Sequence, residues 1–166
     1  MAPAQISKKN NGATALFLVA ALAVGLRVWR LDLPFVETYN SIARQSIGAS
    51  VARNFYEHGF NFFYPEINEN GRGPYLFNAE MPFCPYAMAI GYKLAGGAYA
   101  WAARSVSVFF SFGTLLFLYF LIKRLCGYQT AMVALILAAF SPLHLALSRS
   151  LQPEAAFLCA SVGMLY

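Results

Sequence analysis

Glu37, in the stretch Pro34-Phe35-Val36-Glu37-Thr38-Tyr39-Asn40, sets a carboxylate just beyond the first long apolar segment and at the head of the only long polar stretch. That placement puts a proton acceptor at a membrane surface rather than inside the bilayer. A second acid, Glu154, follows Pro153 and opens an apolar run from Ala155. Proline suits the start of a helix and a carboxylate suits the positive end of its dipole, so Glu154 has a structural explanation beside a chemical one. Glu37 has one too, as a solvated or helix-capping side chain. The cations on the same side are Arg53, Arg104 and Arg149, whose guanidinium groups suit either a bidentate phosphate contact or a reach into lipid headgroups. His144 reads as a packed or interfacial histidine.

The elements that must position these groups are those of a membrane protein. Of 166 residues, 59% are hydrophobic and 11% charged, and the mean hydropathy is +0.52, against about 25% charged in a soluble chain. Cys84, Cys126 and Cys159 show no paired spacing and read as packing residues, so neither zinc nor a disulfide framework is signalled. The net charge of +5 comes from bases at the ends of apolar runs, not from a patch with interleaved aromatics, which excludes nucleic acid as the partner. There is no Gly-rich phosphate loop, no HExxH and no nucleophile elbow.

Along the chain, residues 13–30 read as a first span; a signal peptide is the alternative, and the continuation of the run into Arg27-Val28-Trp29-Arg30 favours the uncleaved span. Residues 31–103 form an outer loop. Ile47, Val51 and Phe55 at helical spacing, with Asn40 or Ser41 as N-cap and Gly59 as stop, predict a surface helix over Ser41–His58. The turn-rich stretch Asn61–Asn78 reads as ordered loop. Pro82–Ala95, closed by Gly96-Gly97, is too short to cross a bilayer, where a helix needs about 20 residues, and lies along the interface. Spans follow at 104–122 and 130–147, the latter bent near Ser141-Pro142, and an incomplete one at 154–166. This arrangement puts both Lys8-Lys9 and Lys123-Arg124 on the cytoplasmic side, while Arg27 and Arg30 pull against it. The chain reads as the N-terminal fragment of a longer multispan protein.

The succession Leu26-Arg27-Val28-Trp29-Arg30-Leu31-Asp32, Glu37-Thr38-Tyr39-Asn40, Ala52-Arg53-Asn54-Phe55 with Gly59-Phe60, and Pro82-Phe83-Cys84-Pro85 resembles the first outer loop of GT-C membrane glycosyltransferases. It is most similar to the family 39 type, the bacterial relatives of protein O-mannosyltransferases and aminoarabinose transferases. Ala102-Ala103-Arg104, Lys123 to Gly127, Ser141-Pro142, and Ser148-Arg149 with Gln152-Pro153-Glu154 are similar to that family's next spans. The resemblance implies an all-α, multi-pass protein of the bacterial inner (plasma) membrane. Its active site would lie on the outer face, moving a sugar from a polyprenyl-phosphate donor to a hydroxyl on a lipid, glycan or protein.

Glu37 then corresponds to the family's first-loop acid, with Val36 where a paired Asp is common, and Glu154 to a second acid. On this reading Glu37 is the general base, and Glu154, Arg53, Arg149, Tyr39 and Asn40 bind substrate. Glu37 and Glu154 are the expected ligands of a divalent cation, since hard cations prefer oxygen. Membrane lipids and the lipid-linked sugar are the expected partners. The competing class is a non-catalytic scaffold or transporter subunit; transporters place charges within spans near the midplane, whereas here the charges sit at span ends.

The topology is checked by cysteines placed at Asn78 and Ala98, on either side of Pro82–Ala95. Both should react with a membrane-impermeant reagent from the outer face, and labelling from opposite faces would overturn the interfacial placement.

Overall fold

The computed structural model describes residues 4–29, 31–32, 41–69, 72–77 and 80–166. In chain order they form α1 (Ala4–Val28), α2 (Ser41–His58), β1 (Glu66–Glu69), β2 (Arg72–Leu76), α3 (Phe83–Ala95), α4 (Ala100–Cys126), α5 (Tyr128–Phe140), α6 (Pro142–Ser148) and α7 (Glu154–Leu165).

Helix α4 is the axis against which α1, α3, α5, α6 and α7 pack. At 27 residues it is about 40 Å long and is the one described helix long and apolar enough by itself to cross a membrane. It starts at Ala100, a turn before the expected Arg104, because the Tyr99 carbonyl accepts the Ala102 and Ala103 amides. Arg104 therefore lies within the helix, buried, instead of flanking its end. The apolar part of α1 covers Leu16–Val28, shorter than the expected first span, and α7 is likewise short.

The expected third span is two helices. Pro142 supplies no amide and holds Ser141 extended (φ −60°, ψ 125°), so α5 stops and α6 begins with the Leu145 amide on the Ser141 carbonyl. The two axes differ by 62°. Together they meet the length and composition of one crossing only if the bent pair is counted as a single span.

Small side chains let the helices close in. Ala23, Ala131 and Ala139 sit with Leu115, Tyr119 and Leu135 where α1, α4 and α5 meet. Ala52, Ala102, Ala103 and Ala156 line the junction of α2, α3, α4 and α7 with Cys84, Met88, Tyr92 and Leu151. Close backbone approach through small residues is how helices associate where no water drives them together. Outward, Phe17, Phe109, Leu137 and Phe157 are exposed.

Arg27 lies in the last turn of α1, at the end of its apolar run, but is buried instead of reaching into headgroups. Its side chain is 0% exposed. Nε donates to Ser111 Oγ (3.1 Å), Nη1 to the Ala23 carbonyl (2.9 Å) and Nη2 to the Ala139 carbonyl (3.1 Å). Nη2 also lies 2.7 Å from His144 Nδ1. A guanidinium only donates, so His144 accepts at Nδ1 and carries its proton on Nε2. Burial of this charge is tolerable because each bonded N–H has a protein acceptor.

In the outer loop, α2 forms where helical spacing placed it. The stretch expected as loop contains instead an antiparallel hairpin, with Glu66 opposite Leu76 and Ile67 opposite Tyr75. The reason lies in α2: buried Asn54 donates Nδ2 to the Glu66 carbonyl (2.9 Å) and accepts from Asn68 Nδ2 (3.1 Å), and Ser50 Oγ accepts the Asn68 amide. Ile67 is thereby pinned among Val51, Phe55 and Ala89. Helix α3 is 13 residues, about 20 Å, short of the 30 Å hydrocarbon core, and ends at left-handed Gly96 (φ 75°).

Gly48 sets how closely α2 seats on the segment before α7, since a Cβ there would lie 2.9 Å from the Leu151 carbonyl. Gly48→Val should destabilise the fold by about 1–3 kcal/mol, as overpacking does, lowering the thermal midpoint in detergent. An unchanged midpoint would mean that this contact is not what seats α2.

Candidate functional site

The first residue of α7 is Glu154, with its carboxylate at the amide end of the helix. What it meets there is the outer loop. Arg44, in the first turns of α2, places Nη1 2.8 Å from Glu154 Oε1 and Nη2 2.9 Å from Glu80 Oε1. One planar fork thus bridges two carboxylates from different parts of the chain, the geometry for which arginine is suited and lysine is not. The Glu80 hydrogen bond, with the charges of Glu154 and Glu80, raises the Arg44 pKa above its ordinary value. Glu154 Oε2 is buried and has no hydrogen-bond partner among the described residues. Beside this cluster a cavity of about 270 Å³ is lined by Arg44, Gly48, Glu80, Met81, Leu151 and Pro153.

Cys84, at the start of α3, closes the buried side. Its thiol is 3.9 Å from the Gln152 carbonyl. Burial, with the Glu154 charge adding to it, pushes its pKa up to about 11.

A second set of contacts holds the start of the loop. Arg149 Nη2 donates to the Trp29 carbonyl (2.9 Å) and Arg104 Nη1 to the Leu31 carbonyl (2.9 Å). Carbonyls at a helix C-terminus carry the negative end of its dipole, so cations belong there. Arg149 therefore lies beside the exit of α1, with at least part of its fork committed there.

Arg53 is held elsewhere. It pairs with Glu57 at 2.7 Å, one turn along α2, and lies about 13 Å along that helix from Arg44. The structure does not bring it to Glu154. Glu37, Tyr39 and Asn40 lie outside the described residues. Among the described residues no group of three His, Cys, Asp or Glu side chains converges as a metal site. Arg44 already engages Oε1 of Glu154, so a divalent cation at this acid would need Glu37 as a further ligand.

Arg44 and Glu80 are the residues that sequence reasoning passed over. The signal for Arg44 was present: a cation in the first turns of a helix opposes the dipole, so it calls for a carboxylate partner from outside the helix. No comparable signal separates Glu80 from other loop acids.

Residues 79–166 match the profile of the family described as dolichyl-phosphate-mannose-protein mannosyltransferase. The match takes in Glu80, Cys84, Arg104, Arg149 and Glu154 and leaves out Arg44 and Glu37. No significant match was found among curated proteins or among solved structures.

Thiol chemistry reports on the cluster. The thiolate is the reactive form, so a thiol whose pKa is near 11 is almost wholly protonated at pH 8. Exposed Cys126 should alkylate there while Cys84 stays unmodified until the pH nears 11. Glu154→Gln removes an anion that opposes the thiolate, and peptide mapping should then find Cys84 reacting at lower pH than in the parent.

Proposed function

The chain belongs to the dolichyl-phosphate-mannose-protein mannosyltransferase family, and from that membership and the surroundings of Glu154 we propose that it transfers a sugar from a polyprenyl-phosphate carrier to a hydroxyl acceptor at the outer membrane face. Family members are integral membrane glycosyltransferases. The observation that carries the reading is the Arg44–Glu154 contact, which joins the acid at the head of α7 to the loop containing Glu37.

In this proposal the acceptor oxygen attacks the anomeric carbon as the bond from that carbon to the phosphate oxygen breaks. The leaving group is polyprenyl phosphate, and the hydroxyl proton passes to Glu37. An alcohol is a poor nucleophile at neutral pH, so a carboxylate within hydrogen-bond reach supplies the missing basicity. Tyr39 and Asn40, which follow that base in the sequence, contact substrate, as does Glu154. Arg149, and Arg53 at the far end of α2, serve the carrier phosphate, for which a guanidinium is suited. A lipid-linked donor arrives through the bilayer, in keeping with a sequence that has no phosphate-cradling glycine loop. The reading extends to the family 39 type, in a bacterial plasma membrane crossed several times. A divalent cation, if held, would draw on Glu37 and Glu154, and no step above depends on it.

Glu37→Gln keeps shape and removes basicity. Single-turnover transfer from a polyprenyl-phosphate sugar, at equal membrane insertion, should fall by roughly 10²–10⁴-fold while donor binding is little changed. Near-normal turnover by the substituted protein would remove Glu37 from the role.

A further inference from the structure

We infer that Arg44 is a positioning residue for Glu154, locking the carboxylate by its Oε1 and leaving Oε2, which has no hydrogen-bond partner among the described residues, to accept from a substrate hydroxyl. The inference rests on the transferase reading above and adds a residue and a mechanism to it.

Four observations converge. Arg44 holds Glu154 at 2.8 Å and is itself anchored by Glu80 at 2.9 Å, so the fork cannot swing away without breaking both contacts. Gly48, one turn along α2 and on the same face as Arg44, lets the helix rest against the Leu151 carbonyl and so sets the reach of the guanidinium. Glu154 Oε2 is buried and lacks a hydrogen-bond partner among the described residues. A buried carboxylate oxygen without a donor is costly, and a hydroxyl supplies the missing O–H. A cavity of about 270 Å³, lined by Arg44, Glu80 and Pro153, leaves open space beside the clamp.

The arrangement separates two duties. Oε1 fixes the geometry, and Oε2 is left without a donor. Lysine at position 44 would supply charge but not the two-pronged hold, so it restores the function only in part.

The test uses the full-length protein in membranes and has two independent readouts. The first is single-turnover transfer from a polyprenyl-phosphate sugar by the Arg44→Gln, Glu154→Gln and doubly substituted proteins. Each single change should slow transfer about 10–100-fold, the range expected when a charge-assisted hydrogen bond is lost, with donor KM moved less than about 3-fold. The double variant should be no slower than Glu154→Gln, because Arg44 acts through that acid. Arg44→Lys should fall between the parent and Arg44→Gln, and stands in for it if the glutamine variant does not insert.

The second readout needs no turnover. A hydrophobic carbodiimide reacts with protonated carboxyl groups, and a half-buried carboxylate that loses its cation is protonated more readily. Labelling of Glu154, read by peptide mass spectrometry at neutral pH, should rise about 5-fold or more in Arg44→Gln, rise less in Arg44→Lys, which keeps a cation, and stay at the parent level in Lys93→Gln. Unchanged labelling in the Arg44 variants, or effects on transfer that multiply in the double variant, would overturn the positioning role. Raised labelling in the Arg44 variants, with a parent protein that transfers no sugar, would uphold the positioning and defeat the transferase reading instead.

Discussion

A buried guanidinium holds this bundle together. Arg27 ties α1 to α4 through Ser111, to α5 through the Ala139 carbonyl and to α6 through His144, all from one side chain fully out of contact with solvent. Among helices whose neighbours are apolar on every side, burial of hydrocarbon discriminates little between correct and incorrect docking, whereas a donor set with fixed geometry does. The rotation of α1 against α4 is thereby specified. The exit of α1, where Arg104 and Arg149 take the carbonyls of Leu31 and Trp29, is specified with it.

The outer layer is built on a different principle. Helix α2 has one end held by charge, at Arg44 with Glu80 and Glu154, and the other by polar side chains and aromatic packing under the hairpin. The aromatic rings of Phe55, Phe60 and Phe62 all meet Tyr86 edge to face, at centroid separations of 5.4–5.7 Å. Such contacts add to area burial without demanding a single register. The charged end, by contrast, is directional, and it is the end next to the head of α7.

Much of the frame was legible because it follows from local rules. The 3.6-residue spacing of Ile47, Val51 and Phe55 marks α2, Gly96 stops α3, and Pro142 breaks the helix it interrupts. The hairpin was not, because its stability comes from Asn54, a residue distant in sequence whose polar side chain carries no strand signal. Arg27 and Arg104 were misplaced for a related reason. A base near the end of an apolar run reads as a headgroup anchor until a partner such as Ser111 or the Leu31 carbonyl is known. The pairing of Glu154 with the loop was foreseeable in direction from two outward passages, but its agent, Arg44, was identifiable only from helix-dipole logic. Glu37, on which the catalytic reading turns, lies outside the described residues.

The break between α5 and α6 carries a consequence for how such a sequence can drift. In an unbroken helix the amide of residue 143 would take the Ala139 carbonyl, by the regular four-residue step. The interruption at Pro142 leaves that carbonyl for the Arg27 guanidinium. The proline and the arginine, 115 positions apart in the numbering, are therefore two halves of one solution. Replacing the proline alone lets the helix reclaim the acceptor and leaves a buried cation short of one. Replacing the arginine alone leaves a buried carbonyl unanswered. The two positions are therefore coupled in energy, and the cost of changing one depends on what stands at the other.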